Sequence, residues 1–280
     1  MTGIARVFRL DEVGATDMAG GGSDSPIVTA GTGLPRTGQG TSRIIRRMRI
    51  LALDTSTEWC SVAVGDGATW YRHDEHAGQA HSERVLPMVD AALADAGCAL
   101  SDLDGLAFGA GPGSFTGIRI GCGVAQGLAL GADLPIVPVP TLAAIAQEAF
   151  RSRGWTRVLA CLDARMREVY VAAFMHDGGR WREVAAPAVL PPAELARHPL
   201  LDGADWFGAG NGFAAYPELA PQLKLLETAA DVHPTAQAIG ELALPRFAAG
   251  DGVAAVDALP LYVRHRVALT VAERNAGVRL

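Results

Sequence analysis

Two short stretches of this sequence carry residue types that can do chemistry. The first is Gly109-Ala-Gly-Pro-Gly-Ser-Phe-Thr-Gly-Ile-Arg-Ile-Gly121. An apolar run at Leu106–Phe108 feeds a Gly-Pro-Gly turn, and Ser114 is placed to cap a helix running through about Leu130. A glycine turn at a strand-to-helix junction aims backbone N–H groups and a helix N-terminus at one point, which suits an anion. The same turn brings two elements into close contact with no ligand at all. The second stretch, Asp54-Thr-Ser-Thr57, ends the apolar run Arg49–Leu53, at the edge where α/β folds place ligands. A carboxylate there can hold magnesium while hydroxyls approach phosphate oxygens. It can equally hydrogen-bond a tight turn. Asp54, Thr55, Gly111, Gly113 and Ser114 together are a candidate phosphate site, working or vestigial.

Other residues point toward a partner rather than a reaction. Gly117 and Gly121 are four apart on the Ser114 helix, as are Gly123, Gly127 and Gly131. Each interior glycine costs a helix roughly 1 kcal/mol relative to Ala. Several in one helix imply a compensating close approach by another element, either an internal neighbour or a partner's helix. His81–Ala96 also reads as a helix, with Ser82 placed to cap it and Gly97 to stop it. Val85, Val89, Ala92 and Ala96 line one face, flanked by Leu86 and Leu93. With Met88 this stripe is broader than a lone surface helix needs, so a second buried face, an interface, stands beside ordinary core packing. His81, Val85, Leu86, Val89, Leu93, Gly117, Gly121, Gly123 and Gly127 are the candidate partner-binding residues.

The remaining motifs are weaker. Gly208-Ala-Gly-Asn-Gly212 could pass near a nucleotide, but a plain turn is the favoured reading. His76 and His81 lack ligand-like spacing, and no Ser-His-Asp or Cys-His arrangement is legible. Cys60, Cys98, Cys122 and Cys161 are scattered, without C-x-x-C, and are expected to be reduced. Neither a catalytic residue nor a metal site is expected on this chain.

These pieces need a scaffold. With 280 residues, 49% of them hydrophobic, the chain can bury a full core as one large domain or two lobes. No apolar run reaches membrane-spanning length, so a cytoplasmic protein with no membrane contact is expected. The net charge of −6 argues against a dedicated nucleic-acid surface. The best local basic patch, Arg264, His265 and Arg266 with Arg274 and Arg279, reads as a solvated helix face. Residues 1–47 lack apolar periodicity and are expected to be a disordered tail, from an over-extended gene start or as a regulatory extension.

From Met48 strands and helices alternate. Strands are expected at Arg49–Leu53, Cys60–Val64, about Ala68–His73, Leu106–Phe108 and Ile136–Val139, and a helix from Thr141 to about Phe150. Then the opening pattern returns: Val158-Leu-Ala-Cys-Leu-Asp163, a polar turn, and Val169–Phe174, against Ile50–Asp54 and Cys60–Val64. The repeat predicts an α/β chain of two similar lobes, 48–153 and 154–280, facing a cleft.

The sequence resembles the bacterial TsaB family of tRNA threonylcarbamoyladenosine biosynthesis proteins. The resemblance rests on ILALDTST at Ile50–Thr57, HSERVLPMV at His81–Val89, GPGSFTGIRIG at Gly111–Gly121, AQGLALGADLP at Ala125–Pro135, LDARMREVY at Leu162–Tyr170 and PLYVR at Pro260–Arg264. It covers nearly all of 48–280. It implies two actin/RNase H-like lobes of mixed sheets flanked by helices, the ASKHA fold of actin, Hsp70 and sugar kinases. It also implies a non-catalytic subunit that pairs with a catalytic homologue, TsaD, and works with an ATPase, TsaE. ATP and a metal are then expected on those partners, with no cofactor on this chain, tRNA reached only through the complex, and a possible homodimer alone.

Against the family's catalytic pattern, Thr141 and Ile145 fall where the catalytic homologue has two metal-binding histidines. Ile145 has no donor atom for a metal. Ser56 takes the place of a glycine in the phosphate turn Asp-x-Gly-Thr of related kinases. The alternative is an active ATP-dependent phosphotransferase or glycoprotease-like hydrolase of the same fold, using Asp54, Asp163 and the Gly-Pro-Gly turn.

Overall fold

The computed structural model describes residues 47–197 and 205–264. The expected tail, Arg47 excepted, lies outside the described residues. So do His265, Arg266, Arg274 and Arg279 of the basic patch.

Strand β1 (Ile50–Asp54) is buried throughout and apolar up to its final Asp54, because it is the middle strand of a five-stranded sheet. It pairs antiparallel with β2 (Trp59–Gly65), Leu53 opposite Val62 and Asp54 opposite Ser61. The edge strand β3 (Trp70–His76) pairs antiparallel with β2 and carries mostly polar, partly exposed residues. Helix α1 (His81–Asp95) and β4 (Gly105–Gly111) follow, β4 lying parallel to β1 on its other side. Helix α2 (Phe115–Ala132), β5 (Ile136–Pro140) and α3 (Thr141–Arg153) complete this half of the chain, and the sheet order is β3-β2-β1-β4-β5.

The second half repeats the plan. Strand β6 (Arg157–Asp163) is central, with β7 (Val169–Asp177) antiparallel beside it and β8 (Arg180–Leu190) beyond. After one helical turn, α4 (Pro192–Leu195), strand β9 (Phe207–Ala209) adds parallel to β6. The short helices α5 (Gly212–Ala215) and α6 (Leu219–Gln222) precede β10 (Thr228–Ala229) and α7 (Ala236–Ala248). The order β8-β7-β6-β9-β10 is that of the first sheet, strand for strand. Asp54 and Asp163 end the two equivalent middle strands. The two mixed sheets flanked by helices are those of the expected fold class.

Packing assigns each helix a sheet face. From α1 and α2, Val85, Val89, Ala92, Cys122, Ala125 and Ala129 cover one face of the first sheet, against Leu51, Leu53, Val62 and Val64. Its other face is covered by Ala236, Ile239, Ala243 and Phe247 of α7. Helix α3 instead packs on the second sheet, Leu142, Ile145 and Ala149 against Val158, Ala160 and Phe174. Each half of the chain thus lends one helix to the other half's sheet, and the 153/154 division separates strands but not helices.

Local signals decide the helix ends. Ser114 Oγ accepts the Gly117 N–H at 3.3 Å, the expected cap. Gly97 stops α1 at φ 60°, its N–H donating to the Ala94 carbonyl. Ser82 is not the cap of α1. The helix begins one residue earlier, and the Ala80 carbonyl accepts from Glu83 and Arg84. The four cysteines are free, three of them buried.

Candidate functional site

The two turns singled out in the sequence meet at the end of the first sheet, where they fill each other. Asp54 is fully buried at the end of β1. One of its carboxylate oxygens accepts from the Ser56 N–H at 2.9 Å, and the Ser56 hydroxyl lies 2.9 and 3.0 Å from the two oxygens. Burial pushes the Asp54 carboxyl up to about 7, against the lowering effect of the Ser56 bonds. The other face of this turn is α2. The Thr55 hydroxyl donates to the Gly117 carbonyl at 2.7 Å, and the Ser114 N–H donates to the Ser56 carbonyl at 2.7 Å. A Cβ on Gly113 would collide with Ser56, and one on Gly117 or Gly121 with Thr55. The Gly111 N–H is taken by the Thr141 hydroxyl at 3.1 Å.

The structure brings the candidate phosphate-site residues Asp54, Thr55, Gly111, Gly113 and Ser114 together at this junction, with Gly113 and Ser114 also lining a cleft, but it buries the Asp54 carboxylate and engages the Gly111 N–H. The glycines bring backbone against backbone, and Ser56, in the position of a kinase glycine, caps the carboxylate that would face a metal. Ser114 is exposed but serves as the α2 cap. Nor do the residues at the catalytic homologue's histidine positions fit a metal. The Thr141 oxygen is engaged by Gly111, and Ile145 lies fully buried in the core between α3 and the second sheet. Among the described residues, no three His, Cys, Asp or Glu side chains converge as a metal set.

The partner-binding candidates divide into two sets. His81, Val85, Val89, Gly117 and Gly121 are buried within the chain, which corrects their assignment to an outer face. His81 places Nε2 3.3 Å from the Trp59 carbonyl, and Val85 and Val89 pack on the first sheet. The one-sided stripe of α1 is therefore mainly core. Leu86 is 48% exposed, Leu93 is half-buried, and Gly123 and Gly127 are exposed. A Cβ on Gly123, Gly127 or Gly131 would meet nothing within 4 Å. Gly121 and Gly123 differ by two positions, which puts them on opposite sides of an α-helix. The glycines of α2 thus fall into two sets by packing, one folded onto Thr55 and one open to solvent beside Leu130, 77% exposed.

Between the two sheets lies a cleft of about 890 Å³. The glycine loop 208–212 is a turn in which Gly210 and Gly212 pack on Cys161 and Asn211 lines the cleft. Its Asn211 was not singled out, yet it spans the lobes. The Asn211 side-chain oxygen accepts the Asp163 N–H at 3.0 Å, and its amide nitrogen lies 3.4 Å from both Glu58 oxygens. The segment 258–264 crosses the cleft on another side. The Ala258 carbonyl accepts from Gln126 at 3.0 Å, Leu261 N–H donates to the Ala110 carbonyl at 2.7 Å, and Arg264 reaches Ala164 and Glu168 of the second lobe. Arg264 is therefore a bonded strap residue and not part of a helix. The PLYVR motif marked this segment; no sequence signal marked its route. No helix among the described residues is long and apolar enough to cross a membrane.

The model of the family described as tRNA N6-adenosine threonylcarbamoyltransferase, TsaD, matches residues 73–270. The tRNA threonylcarbamoyladenosine biosynthesis protein TsaB of Escherichia coli K12 is 45% identical over 223 residues, 79% of this chain and 96% of that protein. The protein of the same name from Haemophilus influenzae is 39% identical, covering 80% and 96%. Among solved structures, YeaZ from Pseudomonas aeruginosa is 46% identical with a TM-score of 0.72, covering 77% of this chain and 99% of that one.

Proposed function

The chain belongs to the TsaB family of tRNA threonylcarbamoyladenosine biosynthesis proteins, and we propose that it serves that pathway as a non-catalytic subunit that binds and activates TsaD. TsaD would transfer the threonylcarbamoyl group onto the adenosine beside the tRNA anticodon. TsaE is the further partner. ATP and metal belong to those partners, tRNA is modified by the complex, and the assembly works in the cytoplasm.

The observation that carries this reading is the open glycine face of α2. Gly123, Gly127 and Gly131 have free space where a Cβ would stand. Each weakens the helix by roughly 1 kcal/mol, and no neighbour within the described chain uses the room they leave. A helix of another chain, packed backbone-close, is the compensating contact, with the exposed Leu130 beside it in sequence. The equivalent helices of a homologue supply such a partner in a pseudo-symmetric pair, and a second copy can take the place when it is absent. The sealed Asp54 and the donor-less Ile145 support the non-catalytic part of the reading.

Gly127→Leu tests it. The free chain accommodates the side chain, so its thermal stability holds or rises as glycine leaves the helix. Binding to TsaD, measured by titration, falls at least about tenfold, and reconstituted tRNA modification falls with it. A variant that binds normally would refute this face.

A further inference from the structure

Two features at the mouth of the cleft are used neither by the sealed turn nor by the open glycine face. On the first lobe, Phe115 is 48% exposed and Tyr262 47%, with ring centres 6.1 Å apart. Arg119 lies between them. Its guanidinium carbon stands 3.8 Å from the centre of the Phe115 ring, and its Nε donates to the Tyr262 hydroxyl at 3.1 Å. On the second lobe, the β6–β7 turn holds Arg165, Met166 and Arg167 at φ 59°, 54° and 62°. None is glycine, so each of three successive residues bears the steric cost of the left-handed region.

Such strain lasts only where the surroundings over-determine it, and it gathers at functional sites. Arg264 holds this turn at both ends, donating to the Ala164 carbonyl at 3.2 Å and to the Glu168 carboxylate. Asp163 accepts the Arg165 N–H at 2.9 Å. The result is a rigid turn that displays its side chains outward. Arg165 is 85% exposed, and Met166 and Arg167 are exposed beside it. Of the acids nearby, Asp163 pairs with Arg165 at 3.2 Å, Glu168 pairs with Arg264, and Glu58, which also lines the cleft, faces the Asn211 amide. Arg119 and Arg165 both line the cleft, and Arg167 is exposed further along the same turn.

We propose that this cleft mouth binds single-stranded RNA, one base stacking on the Phe115–Tyr262 face and neighbouring phosphates meeting Arg119 and Arg165. The proposal rests on the reading of the chain as a subunit of a tRNA-modifying complex. Exposed aromatic faces interleaved with guanidinium groups recognise unstacked bases and their phosphates. A paired duplex offers the phosphates without the open base face. The net charge of −6 bears on the surface as a whole and leaves a local seat of this kind possible.

The test is fluorescence anisotropy of the full chain with a labelled RNA hairpin bearing an open loop, against a fully paired duplex of equal length. The hairpin binds more tightly than the duplex, and its affinity falls as salt rises. Phe115→Ala weakens the hairpin about tenfold and leaves the duplex unchanged, and Arg119→Ala weakens both. Arg165→Gly relieves its left-handed strain, so the melting temperature holds or rises while hairpin affinity falls. A merely structural turn would move stability alone. Displacement of the hairpin by AMP at concentrations no higher than those of competing RNA would make a free nucleotide the occupant and overturn the RNA assignment. Equal affinity for hairpin and duplex, variants that bind RNA normally, or displacement by an oligoglutamate peptide as effectively as by RNA would overturn the proposal, the last by making an acidic protein segment the occupant. TsaD capture by the same variants stays normal. Loss of capture with RNA binding intact would instead place these residues in the partner interface, whereas failure of the Gly127→Leu test would sink the partner reading and leave RNA binding standing.

Discussion

Asp54 shows how one substitution changes what a carboxylate does. Among the described residues its polar partners in the sealed turn are the N–H and hydroxyl of Ser56, and the carboxyl holds its proton up to about pH 7. The ordinary value is 3.8. Between these, the unfolded chain has released a proton that the folded chain keeps. This contribution to stability is thus fully present in acid, declines as pH rises through that window, and is level above it. Asp54→Asn keeps the shape and removes the titration. The variant is expected to be more stable than the parent at pH 8, by an amount on the order of a few kcal/mol, and to match it at low pH. Urea denaturation at several pH values measures this. A parent whose stability rises through the same window would contradict the sealed-carboxyl account. The sequence already named Asp54 and noted Ser56 in a glycine's place. What it did not carry was the closing contact, because the backbone of Gly113 and Gly117 against Ser56 and Thr55 is set by how α2 docks.

At the scale of elements, periodicity located α1 and α2 well but could not say what each face meets. An apolar stripe reads the same whether it covers its own sheet or a partner's helix. In α1 the stripe is core, and Val89 contacts the first sheet. Val89→Arg therefore places an unpaired charge in that core, costs several kcal/mol, and is expected to unfold the free chain. Leu86→Arg changes an exposed position one turn away and leaves the fold intact. If α1 borders the partner contact, Leu86→Arg weakens TsaD binding while circular dichroism stays that of the parent. The pair separates the two faces of one helix. A folded Val89→Arg chain would return that face to the interface. Glycine spacing was similarly ambiguous in α2, where every interior glycine carries the same helix cost. Only packing divides Gly117 and Gly121, pressed on Thr55, from Gly123 and Gly127, which face open space.

At the scale of the whole molecule, the duplicated plan was legible because β1 and β6 share an apolar strand ending in Asp. The exchanged helices were not. Helix α7 is largely Ala, Gly and buried apolar residues, and the identity of the sheet it covers is non-local information. The exchange creates a polar ring at the junction. Glu148 of α3 is buried, accepting Arg151 at 2.6 Å and the Thr235 hydroxyl, at the cap of α7, at 2.8 Å. The next N–H, Ala236, donates to Ser61 of β2 at 2.7 Å, and the Ser61 hydroxyl donates to Asp74 of β3 at 2.5 Å. Asp74 pairs with Arg72 at 2.7 Å, and Arg72 returns to Glu148 at 3.9 Å. The ring joins α3, which belongs to the second sheet's core, to the first sheet through the start of α7. Glu148→Ala leaves Arg151 and Thr235 without their buried acceptor, which costs about 3 kcal/mol. The loss falls on the junction more than on either sheet. In the parent, amide exchange in β1 and β6 is expected to report one common opening free energy, since the lobes unfold together. In Glu148→Ala the two strands separate, each exchanging at its own lower value. If exchange in β1 and β6 stays matched while overall stability falls, the ring stabilises the fold without coupling its halves, and the exchanged helices alone hold the lobes together.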